Sequence, residues 1–210
     1  MNISSVIIRP FCPADRLALR KICYETSFLE SPHDFIDDKE VIADALTRYF
    51  TDYELESCFV AVYENKVIGY LTGAKNGTAM NQILMGKIYP AVAVKFLRSP
   101  FLWRKNCWKF LAGCIRSFFK GNLPRPDFSR QYPAILHINI DKNFRQSGVG
   151  RELIEVYLKY LKAHNIPGVH CATLSENAKE FFKKFGFEVL FQGSRFYGQA
   201  GPYYILGKML

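Results

Sequence analysis

Residues 145–150 read Arg-Gln-Ser-Gly-Val-Gly and follow a mainly apolar run at 135–140. The run predicts a strand, and apolar residues at 153, 154, 157, 158 and 161 predict a helix that begins at the two glycines. The first amides of a helix have no partner inside it, and glycine lets a ligand approach the backbone closely. With the cation of Arg145 beside them, these residues predict a site for a diphosphate.

Two common phosphate-binding loops do not fit these residues. A dinucleotide fingerprint needs G-x-G-x-x-G, but the position for the third glycine is Leu153. A P-loop needs Gly-Lys followed by Ser or Thr, and no such residues follow the glycines. The pattern that remains is R-x-x-G-x-G, from Arg145 to Gly150.

Strand and helix patterns are mixed along the rest of the chain. Helical patterns begin near Pro13, where Leu17 is expected on the apolar side, and at Ser175, which is expected to be an N-cap. A third helical pattern covers 37–50. Short apolar runs predict further strands at 6–9, 58–63, 67–71, 169–174, 187–191 and 203–210. We therefore expect an α+β protein that forms a single domain over 1–210.

A basic segment at about 80–130 interrupts this order. It contains ten Lys or Arg residues and one acid, Asp127, whereas the chain as a whole has a net charge of +9. Its patterns predict two helices, at 83–97 and 101–120, and the second combines aromatic and basic residues. Such a helix can cover the domain's own core, shape a pocket, form a dimer contact or lie on an anionic membrane surface. No recognisable nucleic-acid-binding module accompanies the charge, so nucleic acid is not an expected partner.

The loop resembles the pyrophosphate loop of the GNAT acetyltransferases. Outside the insertion the resemblance covers the whole chain, including the helix from Ser175 and the terminal Gly186-Phe187. It implies a seven-stranded mixed sheet, splayed between the fourth and fifth strands, with a helical insertion between the third and fourth. Within the family, the stretches around His137 and His170 are similar to acetyltransferase-like domains related to those of O-GlcNAc hydrolases.

The resemblance also implies acetyl-CoA as co-substrate and no metal. Pantetheine would lie in the splayed gap, and an amine would attack the thioester directly in a ternary complex. The residues expected to bind the cofactor lie on the fourth strand, in the loop and in the later helix: Ile138, Asn139, Ile140, Arg145, Gln146, Ser147, Gly148, Val149, Gly150, Arg151, Ser175 and Phe182.

Two positions depart from the family's pattern. Ser175 stands where Asn is usual, and Phe182 stands where Tyr is the frequent general acid. Phenylalanine has no proton to give, so another group must protonate the thiolate. The candidates for proton transfer are His137, Tyr203 and Tyr204; the alternatives are tyrosines packed in the core and a hydrogen-bonded core histidine.

The sequence thus predicts an N-acetyltransferase that acetylates a primary amine of a small molecule. The alternatives are a non-catalytic module that binds acyl-CoA, motivated by Phe182, and a peripheral membrane acetyltransferase docked through 101–120. The six cysteines form no C-x-x-C pair, and the first residues show no secretory signal, so we expect a cytoplasmic protein.

Overall fold

A computed structural model describes residues 6–26, 38–103, 108, 112, 126–196 and 199–210. In this part of the chain, seven strands form one mixed sheet in the order β1-β2-β3-β4-β5-β7-β6. The fold predicted from the sequence is confirmed. The strands are β1 (Ile7–Pro10), β2 (Cys58–Tyr63), β3 (Lys66–Ala74), β4 (Ala134–Ile140), β5 (Gly168–Thr173), β6 (Glu188–Phe196) and β7 (Gln199–Met209).

The helices cover both faces of the sheet. They are α1 (Arg16–Thr26), α2 (Lys39–Asp52), α3 (Gly77–Ile83), α4 (Tyr89–Leu97), α5 (Val149–Ala163) and α6 (Glu176–Lys183), with a π-helical turn at Leu84–Ile88 between α3 and α4. None of the helices in the described ranges has the length and hydrophobicity that crossing a bilayer requires.

Strands β4 and β5 run parallel but pair only at their beginnings. The paired residues are Ala134 with Val169 and Ile135 with His170. Beyond them the two strands separate, while β4 stays paired with β3 along its whole length and β5 stays paired with β7. The sheet is therefore open between the carboxyl ends of β4 and β5, as the resemblance implied.

The two faces of the sheet bury different cores. On one face, α5 packs Leu153, Ile154 and Tyr157 against the strands, together with the α6 residue Phe182. On the other face, α1 and α2 pack against a cluster that includes Tyr70. Successive strand residues point to opposite faces, so this division decides which side chains of β4 meet.

Two local expectations change. Leu17 is 81% exposed, because Leu19, Ile22 and Cys23 form the buried side of α1 and position 17 is not on that side. The helix expected at 83–97 begins earlier, at Gly77, because the Asn76 side chain accepts a hydrogen bond from Ala79 N and caps it. The helix expected at 101–120 lies largely outside the described residues.

The inserted helices are fixed to the domain by charge as well as by packing. Lys95 Nζ lies 2.8 Å from Asp44 Oδ2, and Arg20 Nη1 lies 2.7 Å from Asp44 Oδ1. Asp44 therefore joins α4, α2 and α1. The two cations lower the pKa of the Asp44 carboxyl against the opposing effect of burial, so the carboxylate stays charged.

Candidate active site

The predicted diphosphate loop is a turn that leaves its amides free. Gln146 and Gly148 have positive φ angles of 62° and 89°, and Gly148 is the N-cap of α5 without any side-chain cap. No described residue accepts a hydrogen bond from the amides of 146–150. Left-handed residues in a short turn make neighbouring N–H groups converge, and the helix dipole adds partial positive charge. The geometry suits an anion.

The surroundings of the loop are positively charged and crowded on one side. Arg145 is exposed, with Nε 3.5 Å from Ile140 O, and the Arg151 guanidinium lies 5.6 Å from the ring centroid of Phe185. A Cβ on Gly150 would lie 3.1 Å from the Phe181 ring, so a small residue is needed there. Asp141 accepts a hydrogen bond from Asn143 N (2.9 Å) and so has a turn-capping role.

The backbone of β4 presents polar groups to the gap. Asp141 N donates to Ile68 O of β3. The N–H and C=O groups of successive residues alternate in direction along an antiparallel strand, so the groups of Asn139 and His137 also point towards β3. Those of Ile138 and Ile140 point the other way, into the gap, where β5 has already separated. These two residues are the ones expected to hold pantetheine.

A chain of three side chains joins β3 to β4 on the α1/α2 face. Asn139 Nδ2 donates to Tyr70 Oη (2.7 Å) and lies 2.9 Å from His137 Nε2. An amide nitrogen has no lone pair to offer, so Nε2 of His137 accepts and the ring proton is on Nδ1. Burial lowers the pKa of His137 to about 4, so its ring is neutral at neutral pH.

The two tyrosine candidates point to opposite faces of β7. Tyr204 packs in the α5/α6 core, and its hydroxyl donates to the Glu176 carboxylate, which raises the pKa of Tyr204. Strand alternation places Tyr203 on the face of His137 instead, where it is buried 5.7 Å from Phe191 between ring centroids. The two tyrosines therefore cannot serve one site together.

The two residues near α6 that were predicted to bind the cofactor, Ser175 and Phe182, make contacts within the protein. Ser175 caps α6, with Oγ 3.4 Å from Ala178 N. Phe182 is 4% exposed and lies 5.4 Å from Phe187 between ring centroids. His170, on β5, has Nδ1 2.6 Å from Tyr132 O, which fixes the chain that leads into β4.

Sequence reasoning missed Tyr70 and the side-chain role of Asn139. Tyr70 reaches the site because β3 and β4 pair with Tyr70 opposite Asn139, a register that no local pattern reveals. Among the described residues, no group of three or more His, Cys, Asp or Glu side chains could hold a metal ion.

Comparison with known proteins gives a consistent result. The model of the Acetyltransferase (GNAT) family matches residues 23–187. Mouse (Mus musculus) Protein O-GlcNAcase is 24% identical over 209 residues, which make up 97% of this chain but only 22% of that protein. The chain thus spans about a fifth of the length of that relative.

Two solved structures share the fold. The crystal structure of SsHAT has a TM-score of 0.73 and 24% identity, with 98% of both chains covered. The structure of yncA, a putative acetyltransferase from Salmonella typhimurium with its cofactor acetyl-CoA, has a TM-score of 0.58 and 15% identity. That match covers 98% of this chain and 94% of the other.

Proposed function

Because this chain belongs to the acetyltransferase (GNAT) family, we propose that it is an acetyl-CoA-dependent N-acetyltransferase acting on a primary amine of a small molecule. The observation that carries the proposal is the row of unpaired amides at 146–150, next to the gap between β4 and β5. The first feature suits a diphosphate and the second suits an extended chain, and acetyl-CoA contains both.

The residues present fit this co-substrate in two places. The amides from Gln146 to Gly150 would approach the diphosphate, whereas Arg151 N already donates to Gly148 O (2.9 Å). Arg145 would add a cation that can rotate onto the diphosphate. The peptide groups of Ile138 and Ile140 would pair with pantetheine, which takes the place of the missing strand partner. Since Ser175 uses its hydroxyl as a cap and Phe182 is apolar, these two contribute surface to the site rather than a polar contact.

The bond changes are those of direct transfer. A C–N bond forms between the neutral amine and the acetyl carbonyl carbon, the C–S bond breaks, and the amine loses one proton while the thiolate gains one. His137 would take the amine proton. For this, the Asn139 amide must turn by half a rotation, so that its oxygen accepts from Tyr70 and from a proton on His137 Nε2. Nδ1 then has a free lone pair.

A weak base at this position limits the acceptor. With a pKa of about 4, His137 cannot remove a proton from a free ammonium group at neutral pH, but it can accept one from the nitrogen once the new bond has made that proton acidic. Amines that are already partly neutral near pH 7 are therefore the preferred class. Amino sugars meet this condition better than polyamines do.

The thiolate is expected to receive its proton from water. Phe182 has none to give, and the Tyr204 hydroxyl proton is held by Glu176, which makes Tyr204 a weaker acid. Tyr203 stays the remaining side-chain candidate, since it shares the face of His137. A thiolate whose parent thiol has an ordinary pKa can leave without first being protonated. Phe182 in place of the family's frequent Tyr is therefore expected to slow the reaction but not to prevent it.

A second candidate function is a non-catalytic module that binds acyl-CoA. It is favoured by Phe182, which packs against Phe187 in the core at the position of the family's frequent acid. In that case the loop binds the co-substrate but the His137 chain has no chemical role.

Titration calorimetry with acetyl-CoA, followed by a thiol-release assay, separates these functions. Amino sugars, amino acids, polyamines and aminoglycoside antibiotics should be offered as acceptors. Binding together with amine-dependent thiol release is the expected result. Binding with no release above the amine-free control for any acceptor would favour the non-catalytic module. If coenzyme A and its thioesters do not bind at all, both functions are wrong.

A further inference from the structure

The inserted helices expose a continuous apolar surface. Met85, Tyr89, Ala93 and Leu97 recur every four residues, and all four are exposed. Residues four apart lie along one side of a helix, so they form a row. The adjoining row, Gly86, Pro90 and Val94, is also exposed and also uncharged. We call these seven residues the apolar surface.

The residues of this surface do not pack into the core of the protein. Helix α4 contains no buried residue, although its sequence has only one charged side chain, Lys95. Lys95 points to Asp44 of α2, so the charge is on the inner side of the helix. The opposite side leaves Leu97 65% exposed and Met85 67% exposed. An exposed apolar side of this extent is typical of a docking surface.

Two positively charged side chains border the apolar surface in the described residues. Between Glu64 and Asp127 the sequence contains eleven Lys or Arg residues and no Asp or Glu. Of these, Lys87 and Arg98 are exposed beside the two rows, and Lys87 Nζ lies 5.7 Å from the centroid of the Tyr53 ring. Trp103, just beyond α4, is 80% exposed, and an indole with an apolar ring and one N–H donor suits the boundary between lipid and water.

We propose that the apolar surface docks this protein on an anionic lipid bilayer. An anionic bilayer offers a uniformly negative layer over an apolar phase, which matches a patch of apolar rows bordered by cations and free of acids. In this arrangement the π-helical turn and α4 lie in the plane of the interface. Leu97 and Met85 enter the acyl boundary, and Lys87 and Arg98 extend to the head groups. The proposal is independent of the proposed function.

Co-sedimentation with vesicles tests the docking. Vesicles of equimolar phosphatidylcholine and phosphatidylglycerol should pull down the protein at low salt, and vesicles of phosphatidylcholine alone should do so much less. Met85→Gln with Leu97→Gln should weaken partition more than tenfold, on the order expected for two apolar side chains left in water. Lys87→Gln and Arg98→Gln should each weaken it about fivefold at low salt.

A matched control uses an exposed leucine elsewhere. Leu17→Gln removes an apolar side chain from α1 that is more exposed than Met85 or Leu97, and it should leave partition unchanged. Thermal unfolding of every variant confirms that it is folded. Equal binding of the Met85/Leu97 double variant and the wild type, or no preference for anionic vesicles, would overturn the proposal. So would dimerisation in solution that the double variant abolishes while vesicles bind neither protein, because the surface would then join two copies of the chain.

Discussion

Two strand–helix units, β4–α5 and β5–α6, border the open end of the sheet, and they use their polar groups differently. In the first, α5 starts at Gly148 with amides that no described residue pairs, and the His137 ring bonds to the Asn139 side chain. In the second, Ser175 caps α6, and His170 is held by a backbone carbonyl. The β5–α6 unit satisfies its own groups, so its role is structural. The β4–α5 unit leaves its groups for a ligand, and we expect the chemistry there.

The largest effect should come from placing a negative charge at each helix start. Gly148→Asp puts a carboxylate at the free amides, in a left-handed conformation, and repels the diphosphate. We expect acetyl-CoA affinity to fall on the order of a thousandfold, measured by calorimetry. Ser175→Asp adds the same charge at α6, where Asp is an equally good N-cap, and should cost tenfold or less. Equal losses at the two sites would contradict the comparison.

Removing each histidine should separate chemistry from stability. His137→Ala removes the proposed proton acceptor, and we expect kcat/KM to fall about a hundredfold with little change in acetyl-CoA affinity. His170→Ala leaves Tyr132 O without its partner, so it should lower the free energy of unfolding by about 1–3 kcal/mol and leave kcat nearly unchanged. Steady-state kinetics and urea unfolding of both variants measure the difference. If His170→Ala lowers kcat as much as His137→Ala does, β5 takes part in the chemistry.

Both histidines should make stability depend on pH, because burial lowers the pKa of His137 and also that of His170. The pKa of His137 is about 4 in the folded protein and about 6.5 when the chain is unfolded. Between these values the unfolded state binds more protons, so stability falls as the pH falls, by up to about 1.4 kcal/mol per pH unit. His137→Gln should remove this contribution, and His170→Gln should remove the separate contribution of His170 while leaving that of His137. Urea unfolding at about pH 5 and about pH 7 measures the slope, and an unchanged slope in His137→Gln would show that the His137 ring is not kept neutral in the folded protein.

The same contrast explains what the sequence could predict. The start of a helix is encoded by a few neighbouring residues. Gly148 therefore predicted a helix N-terminus with free amides and Ser175 a capped one, and the structure has both. The fold followed from those signals and from the resemblance they carried. The link from Tyr70 to His137 depends on the pairing of β3 with β4, across the whole insertion, and was not predictable from any local pattern.

Local sequence patterns also could not predict which helix side chains are exposed. Leu17 and Leu97 are both leucines on helices and both are exposed, yet only Leu97 belongs to an apolar row. The sequence suggested a membrane-facing or covering role for 101–120, whereas the described apolar surface lies earlier, on the π-helical turn and α4. A helical pattern tells which residues share a side, but only the packed structure tells whether that side is covered.

The smallest expected effect isolates the cap of α6. Ser175→Ala removes the side-chain oxygen that accepts from Ala178 N and should lower the free energy of unfolding by about 1 kcal/mol. Acetyl-CoA affinity should stay within about twofold. The newly unpaired amide of Ala178 belongs to the β5–α6 unit, where we expect no anion to bind. Ser175→Asn, which restores a good cap, should recover the stability, as urea unfolding can measure. If Ser175→Ala instead weakens acetyl-CoA binding tenfold while Ser175→Asn restores it, α6 also holds the co-substrate, and the division between the two units is wrong.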